Sequence, residues 1–206
     1  ANAVAHHRGY TYVGTNSKAV YRIDADGKVE NFIQGLGGQV VSVRAHQDRL
    51  YFLTQNSKFS IYTLDGKLIR HLDRGTINTW GNKICVINDQ IIVANPGRER
   101  LHVYSPEGDF IQTISVESLP NASGYFSTAP LGTNSLIVAS DLGTIFTVNR
   151  RTGKVIWTSR HKFTDTAVVA LDDDTVLLSG ANYYANSSEI LIKVLNIKTG
   201  NEIHYA

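Results

Sequence analysis

His6 and His7 stand side by side in "NAVAHHRGY", and His46 follows in "SVRAHQDRL". A metal ion needs three or four ligands converging on one point. Adjacent side chains on a strand point to opposite faces, so His6 and His7 do not aim at one ion, and His46 is the one obvious neighbour. No metal site is expected. Cys85 is the only cysteine, which excludes an internal disulfide and a cysteine-rich zinc site. It lies in the alternating segment "KICVIN" and reads as a buried structural thiol. The acidic run "LDDDT" (171–175) reads as a solvated turn. The chain has no nucleophile elbow, no phosphate-binding glycine loop and no dinucleotide fingerprint. "GLGG" (35–38) joins strand to strand rather than strand to helix and reads as a flexible connection. No cofactor is expected.

The elements that carry these groups repeat. Aligned on a glycine, "YRIDADGKVENF", "YTLDGKLIRHL", "YSPEGDFIQTI", "NRRTGKVIWTS" and "NIKTGNEIHYA" are five copies of one phrase, with the glycine at 27, 66, 108, 153 and 200. Each copy is a strand, a turn with glycine at positive φ, and a second strand. Two more strand signals precede each copy, as "VVSVRA" and "RLYFLT" precede "FSIYTL" and "KLIRHL" in the second unit. β-Branched and aromatic residues dominate these runs, and turn residues separate them. With "NAVAHH" as the first strand, every unit has four strands, and no useful helical periodicity appears.

Four antiparallel strands per unit of roughly 40–45 residues is the pattern of propeller blades. The expected fold is all-β, a five-bladed β-propeller of four-stranded antiparallel blades, or part of a larger one. The expected blades are 1–34, 35–73, 74–115, 116–160 and 161–206, together a single domain. Because the frame opens on an innermost strand, closure is expected to rest on packing of unit five against unit one rather than on a borrowed strand. "RTGKVIWTS" resembles the PQQ-like propeller repeat and "SPEGDFIQTI" the NHL-like repeat. The WD dipeptide of WD40-like repeats and a complete family signature are both missing. The resemblance implies architecture and no activity, since such repeats host enzymes, scaffolds and sensors alike.

The resemblance also implies that loops between strands two and three, and loops between blades, converge on one face. Two are long, "SVESLPNASGY" (115–125) and "GANYYANSSE" (180–189), and binding concentrates on loops held by a rigid scaffold. Gln39, Trp80, Tyr125 and Asp165 begin innermost strands and are expected at the channel mouth. Arg74, Asn78, Arg98, Arg100, Arg160, His161, Tyr183 and Tyr184 are expected around them. Aromatic and arginine side chains presented together suit a protein surface or a sugar ring. The plainer alternatives stand beside this: Trp80 and Tyr125 plug the top of the core, and Arg98 and Arg100 belong to a solvated turn. Two glycosylation sequons, at Asn121 and Asn186, fall in the two long loops in a number that chance placement also gives.

Function is narrowed mainly by exclusion. Twenty basic and eighteen acidic side chains leave a net charge of +2, with no basic footprint for nucleic acid and no polybasic membrane patch. No apolar run approaches the roughly 20 residues of a membrane span. Methionine is absent even at position 1, which is expected of a processed chain or a piece of a longer one, and "ANAVA" points towards an exported or particle-surface setting. The inner strands carry almost no carboxylates, whereas a glycosidase needs two facing one sugar. The first reading is therefore a non-catalytic scaffold that recognises a protein, glycan or assembly partner through its long-loop face. The alternative is a carbohydrate-active hydrolase or lyase using Asp165, His161 and a tyrosine.

Overall fold

The computed structural model describes residues 2–56, 58–73, 83–95, 100–116, 126–140, 143–161, 164–181 and 190–203. These residues form twenty strands and no helix, so none is long and apolar enough to cross a membrane. The first sheet is β1 (Ala3–His7), β2 (Tyr10–Gly14), β3 (Val20–Ile23) and β4 (Val29–Ile33). The second is β5 (Val40–His46), β6 (Arg49–Thr54), β7 (Lys58–Thr63) and β8 (Leu68–Asp73). The third is β9 (Ile84–Ile87), β10 (Gln90–Asn95), β11 (Arg100–Tyr104) and β12 (Phe110–Ser115). The fourth is β13 (Phe126–Leu131), β14 (Ser135–Ser140), β15 (Thr144–Asn149) and β16 (Val155–Arg160). The fifth is β17 (Thr164–Ala170), β18 (Thr175–Ala181), β19 (Ile190–Asn196) and β20 (Glu202–Ile203). Each sheet pairs its own four strands in chain order. The fold class is all-β, five four-stranded antiparallel sheets of propeller type, and among the described residues no sheet borrows a strand from elsewhere.

The chain divides into two compact units, residues 1–93 with 103–111, and residues 94–102 with 112–206. In the first unit β1 packs on β5 and β5 on β9, so the leading strands of successive sheets form one line; in the second, β13 packs on β17. β6 shows how sequence sets burial. "RLYFLT" reads as an unbroken apolar run because both of its faces are covered. Leu50 and Phe52 join a cluster with Tyr12, Val20, Ile33 and Val43, while Tyr51 and Leu53 join one with Phe59, Ile61, Ile84 and Val93. The outermost strand β16 instead alternates half-buried and exposed residues, as expected of a strand with one face towards water.

The repeated glycine phrase has two jobs. All five of its glycines have positive φ, from 72° to 89°. In four copies the turn also lies against the sheet before it. Gly66 faces the Phe32 ring, Gly108 the Ile61 side chain, Gly153 the backbone of Ser115, and Gly200 the indole of Trp157. Around Gly108 the contact is reinforced: Tyr51 Oη donates to the Pro106 carbonyl at 3.2 Å, and Arg49 and Arg70 reach Glu107 and Asp109 at 2.6 Å each. Arg22 likewise donates to the Leu64 carbonyl at 3.2 Å. The turn is thus a latch from one sheet to the next as well as a hairpin. Gly27 differs, with open space where a Cβ would stand.

The histidines serve at the other end of the strands. Arg8-Gly9 and Asn88-Asp89 are two-residue hairpin turns with both residues at positive φ. His7 Nε2 donates to the Gln47 carbonyl at 2.6 Å. His46 Nε2 and Gln47 Nε2 donate to Asp89 at 2.7 and 3.0 Å. His7 and His46 therefore clip three neighbouring turns together.

Candidate functional site

The line of leading strands in the first unit carries two cations. Arg44 sits in β5, and Lys83 immediately precedes β9. Ser42 Oγ accepts from the Ile84 amide at 3.0 Å and holds the two strand ends together. Lys83 Nζ donates to the Val41 carbonyl at 3.0 Å, and Arg44 Nη1 to the Val43 carbonyl at 2.9 Å. Both side chains are half-buried. Among the described residues neither has a carboxylate partner.

Electrostatics make this pair unusual. Burial lowers the pKa of both groups, and the Arg44 charge lowers that of Lys83 further. Burial pushes the Cys85 thiol up to about 12, with Arg44 pulling it the other way. Carbonyl oxygens satisfy hydrogen bonds but do not neutralise charge. Two like charges in a partly dehydrated seam attract an anion more strongly than they would in water. A carboxylate or another anionic oxygen group is the complement such a seam lacks.

The residues marked by sequence are distributed as follows. Gln39 is exposed just before β5, where its carbonyl accepts from the Gln55 amide at 2.7 Å. Arg100 is exposed at the start of β11, and Arg160 is exposed at the end of β16. His161 follows Arg160 and is half-buried; its amide donates to the Gly143 carbonyl at 2.8 Å, and its Nε2 lies 3.1 Å from Ser159 Oγ. Burial, then the Lys193 charge, lower the His161 pKa, against Glu202, which raises it. Asp165 lies within β17. Arg74, Asn78, Trp80, Arg98, Tyr125, Tyr183 and Tyr184 lie outside the described residues. Of the described members of the marked set, Arg160 and His161 are neighbours through the chain itself. Arg44 and Lys83 are not among the residues marked by sequence, because their dehydration arises only where β5 meets the start of β9. The available signal was a cation in "VVSVRA" and another opening "KICVIN", in strands otherwise free of charge apart from their histidines.

No protein-family model matches the chain, and no curated protein resembles it closely enough to count as a relative. Solved structures do match it. It is similar to the WD40 β-propeller domain of Doa1, with a TM-score of 0.77 at 14% identity over 98% of this chain and 67% of the other. It is also similar to a chain of the mitotic checkpoint complex, with a TM-score of 0.76 at 14% identity. The Neurospora crassa Pan2 WD40 domain matches with a TM-score of 0.75 at 10% identity. The chain covers 64% of each of the last two, so it spans about two thirds of the length of the structures it matches. At these identities the likeness is one of fold: the chain has the fold of WD40 propellers without their sequence signature.

Proposed function

We propose that this chain is a non-catalytic binding propeller that holds an acidic segment of a protein partner against the inner-strand seam of its first unit. The observation that carries this reading is the pair Arg44 and Lys83, two half-buried cations that donate to main-chain carbonyls and, among the described residues, meet no carboxylate. A dehydrated cation without a counter-charge costs stability, and a bound carboxylate removes that cost. A protein-interaction role agrees with the likeness in fold to WD40 domains and to a chain of the mitotic checkpoint complex.

Other residues extend the same surface in this reading. Gln39 is exposed at the start of β5, and Arg74, Asn78 and Trp80 closely precede Lys83 in the chain. They would add an aromatic anchor and hydrogen bonds to the seam. In the second unit Tyr125, Asp165, Arg160, His161, Tyr183 and Tyr184, with Arg98 and Arg100, are proposed as a contact set of their own.

The test is a display of acidic, basic and neutral peptides probed with the purified chain, with a glycan array run in parallel. Asp/Glu-rich peptides are expected to be enriched, in a salt-sensitive manner. Joint Arg44→Gln and Lys83→Gln substitution is expected to abolish that enrichment, and Trp80→Ala to weaken it without unfolding. Equal binding of all peptide classes overturns the acidic-segment reading. Binding confined to the glycan array assigns a sugar partner instead.

A further inference from the structure

A lysine amine ordinarily stays in water or meets a carboxylate. Lys18, Lys28, Lys67 and Lys154 are exposed, and Lys193 and Lys198 hold Glu202 and Asp174. Lys83 does neither. It is half-buried, meets no carboxylate among the described residues, and rests Nζ on the Val41 carbonyl at 3.0 Å. Val41 is the extra residue of a β-bulge: the ladder between β5 and β6 passes from Val40–Thr54 to Ser42–Leu53 and leaves it unpaired. Two residues on, the Val43 carbonyl accepts from Arg44 Nη1 at 2.9 Å. Main-chain positions two residues apart lie within about 7 Å of each other, so amine and guanidinium are held over one short stretch of β5. All of these residues belong to the first unit.

An amine so placed is a nucleophile. Partial burial and a neighbouring cation both favour its neutral form, whose lone pair is free to react. Both act on Lys83, burial first and then the Arg44 charge. As a neutral amine it still donates to Val41. Arg44 commits only Nη1, and the rest of its fork meets no partner among the described residues. The complement of that fork is a planar anion with two oxygens.

We propose that Lys83 is a modification site for carbon dioxide: its amine captures the dissolved gas as a carbamate, which the Arg44 guanidinium holds. The Nζ lone pair forms the new N–C bond, one C=O π pair moves onto oxygen, and the proton leaving Nζ passes to water. The carbamate is the planar, two-oxygen anion that the Arg44 fork fits, and it stands one bond beyond Nζ. A negative charge replaces the positive one on Lys83, so two like charges become an ion pair. Capture of carbon dioxide stands on the geometry around Lys83 itself. Its effect on binding rests on the acidic-segment reading: the carbamate takes the place of the partner's carboxylate, and carbon dioxide then releases the partner.

The test equilibrates the purified chain with isotopically labelled bicarbonate and carbon dioxide at fixed pH and ionic strength. Carbon NMR reads the carbamate, and a trialkyloxonium salt then fixes it as an ester for peptide mapping by mass. The ester is expected on the peptide that holds Lys83. Its NMR signal is expected to vanish in Lys83→Arg, to persist in Lys67→Arg, and to fall at least about tenfold in Arg44→Gln, which loses the charge-assisted hydrogen bonds. A map without an ester at Lys83, or a signal unchanged in Lys83→Arg, overturns the proposal. The map uses the unsubstituted protein, so it decides the matter even where a variant fails to fold. Capture of acidic peptides is then compared with and without carbon dioxide in each protein. A loss caused by carbon dioxide in the unsubstituted protein and absent from Lys83→Arg supports release of the partner. An equal proportional loss in both makes bicarbonate a competing ion and overturns that release. A Lys83 carbamate in a chain that captures no acidic peptide strikes the acidic-segment reading and leaves the modification site standing.

Discussion

Gly153 lies so close to Ser115 that a Cβ on the glycine would overlap the serine carbonyl oxygen, with the Ile114 side chain 3.2 Å from the same point. The obstacle is backbone, which cannot swing aside as a side-chain end can. Gly153 also has φ of +74°, where an L side chain is strained. Two penalties therefore fall on one position. Gly153→Ala is expected to lower unfolding free energy by about 3 kcal/mol. Gly27→Ala, at φ +81° but with open space around it, carries the backbone penalty alone, about 1 kcal/mol. Urea denaturation of the two variants reads the difference, and equal losses would show that the turn of the fourth sheet is no latch.

Cys85 is fully buried and its thiol is pushed up to about 12. Only the thiolate attacks a disulfide reagent. At pH 8 the native protein is expected to react with an aromatic disulfide no faster than it unfolds, and to release its single thiol at once in denaturant. A fast native reaction would place Cys85 outside the seam core.

The five glycine phrases led to the twenty strands because a positive-φ turn between two alternating runs is a local demand, met within about a dozen residues. "RLYFLT" was legible as a strand, whereas the covering of both its faces follows from the packing of neighbouring sheets. The latch was not legible, because Phe32 and Gly66, or Ser115 and Gly153, meet only after sheets pack. Arg44 and Lys83 escaped notice for the same reason. A cation in a strand ordinarily faces water, and their dehydration arises from a junction between strands some forty residues apart. The resemblance to PQQ-like and NHL-like repeats rested on the turn phrase alone, whereas two of the solved neighbours are WD40 propellers that share the fold at 10–14% identity. Of the expected mouth, Trp80 and Tyr125 lie outside the described residues, as do Tyr183 and Tyr184 expected around it.

His161 introduces a pH dependence of definite sign. Its folded pKa is lowered, chiefly by burial and then by Lys193, so the folded state binds its proton less readily than the unfolded chain. The resulting stability is present above the ordinary histidine value of 6.5 and is lost as pH falls from there towards the folded pKa. His161→Asn is expected to flatten the stability profile below pH 6.5. A profile that keeps its slope in this variant would assign the dependence to another group.

Lys83 separates stability from binding. A lysine held in a dehydrated seam beside Arg44 is a cost to the free protein. Lys83→Met keeps the length of the side chain and removes the charge. It is expected to leave stability unchanged or raise it by about 1 kcal/mol while weakening capture of acidic peptides. A Lys83→Met protein that is clearly less stable would make the lysine structural.

Each sheet is made of four consecutive strands, and each later turn secures the sheet before it. Most pairings therefore close over short stretches of chain. Such contacts form quickly and in the order of synthesis. As the polypeptide leaves the ribosome, one sheet can be complete before the next has emerged, and the arrival of the following glycine turn then locks it. Translation order and assembly order coincide, which limits the time any apolar strand edge stands open to a neighbouring nascent chain.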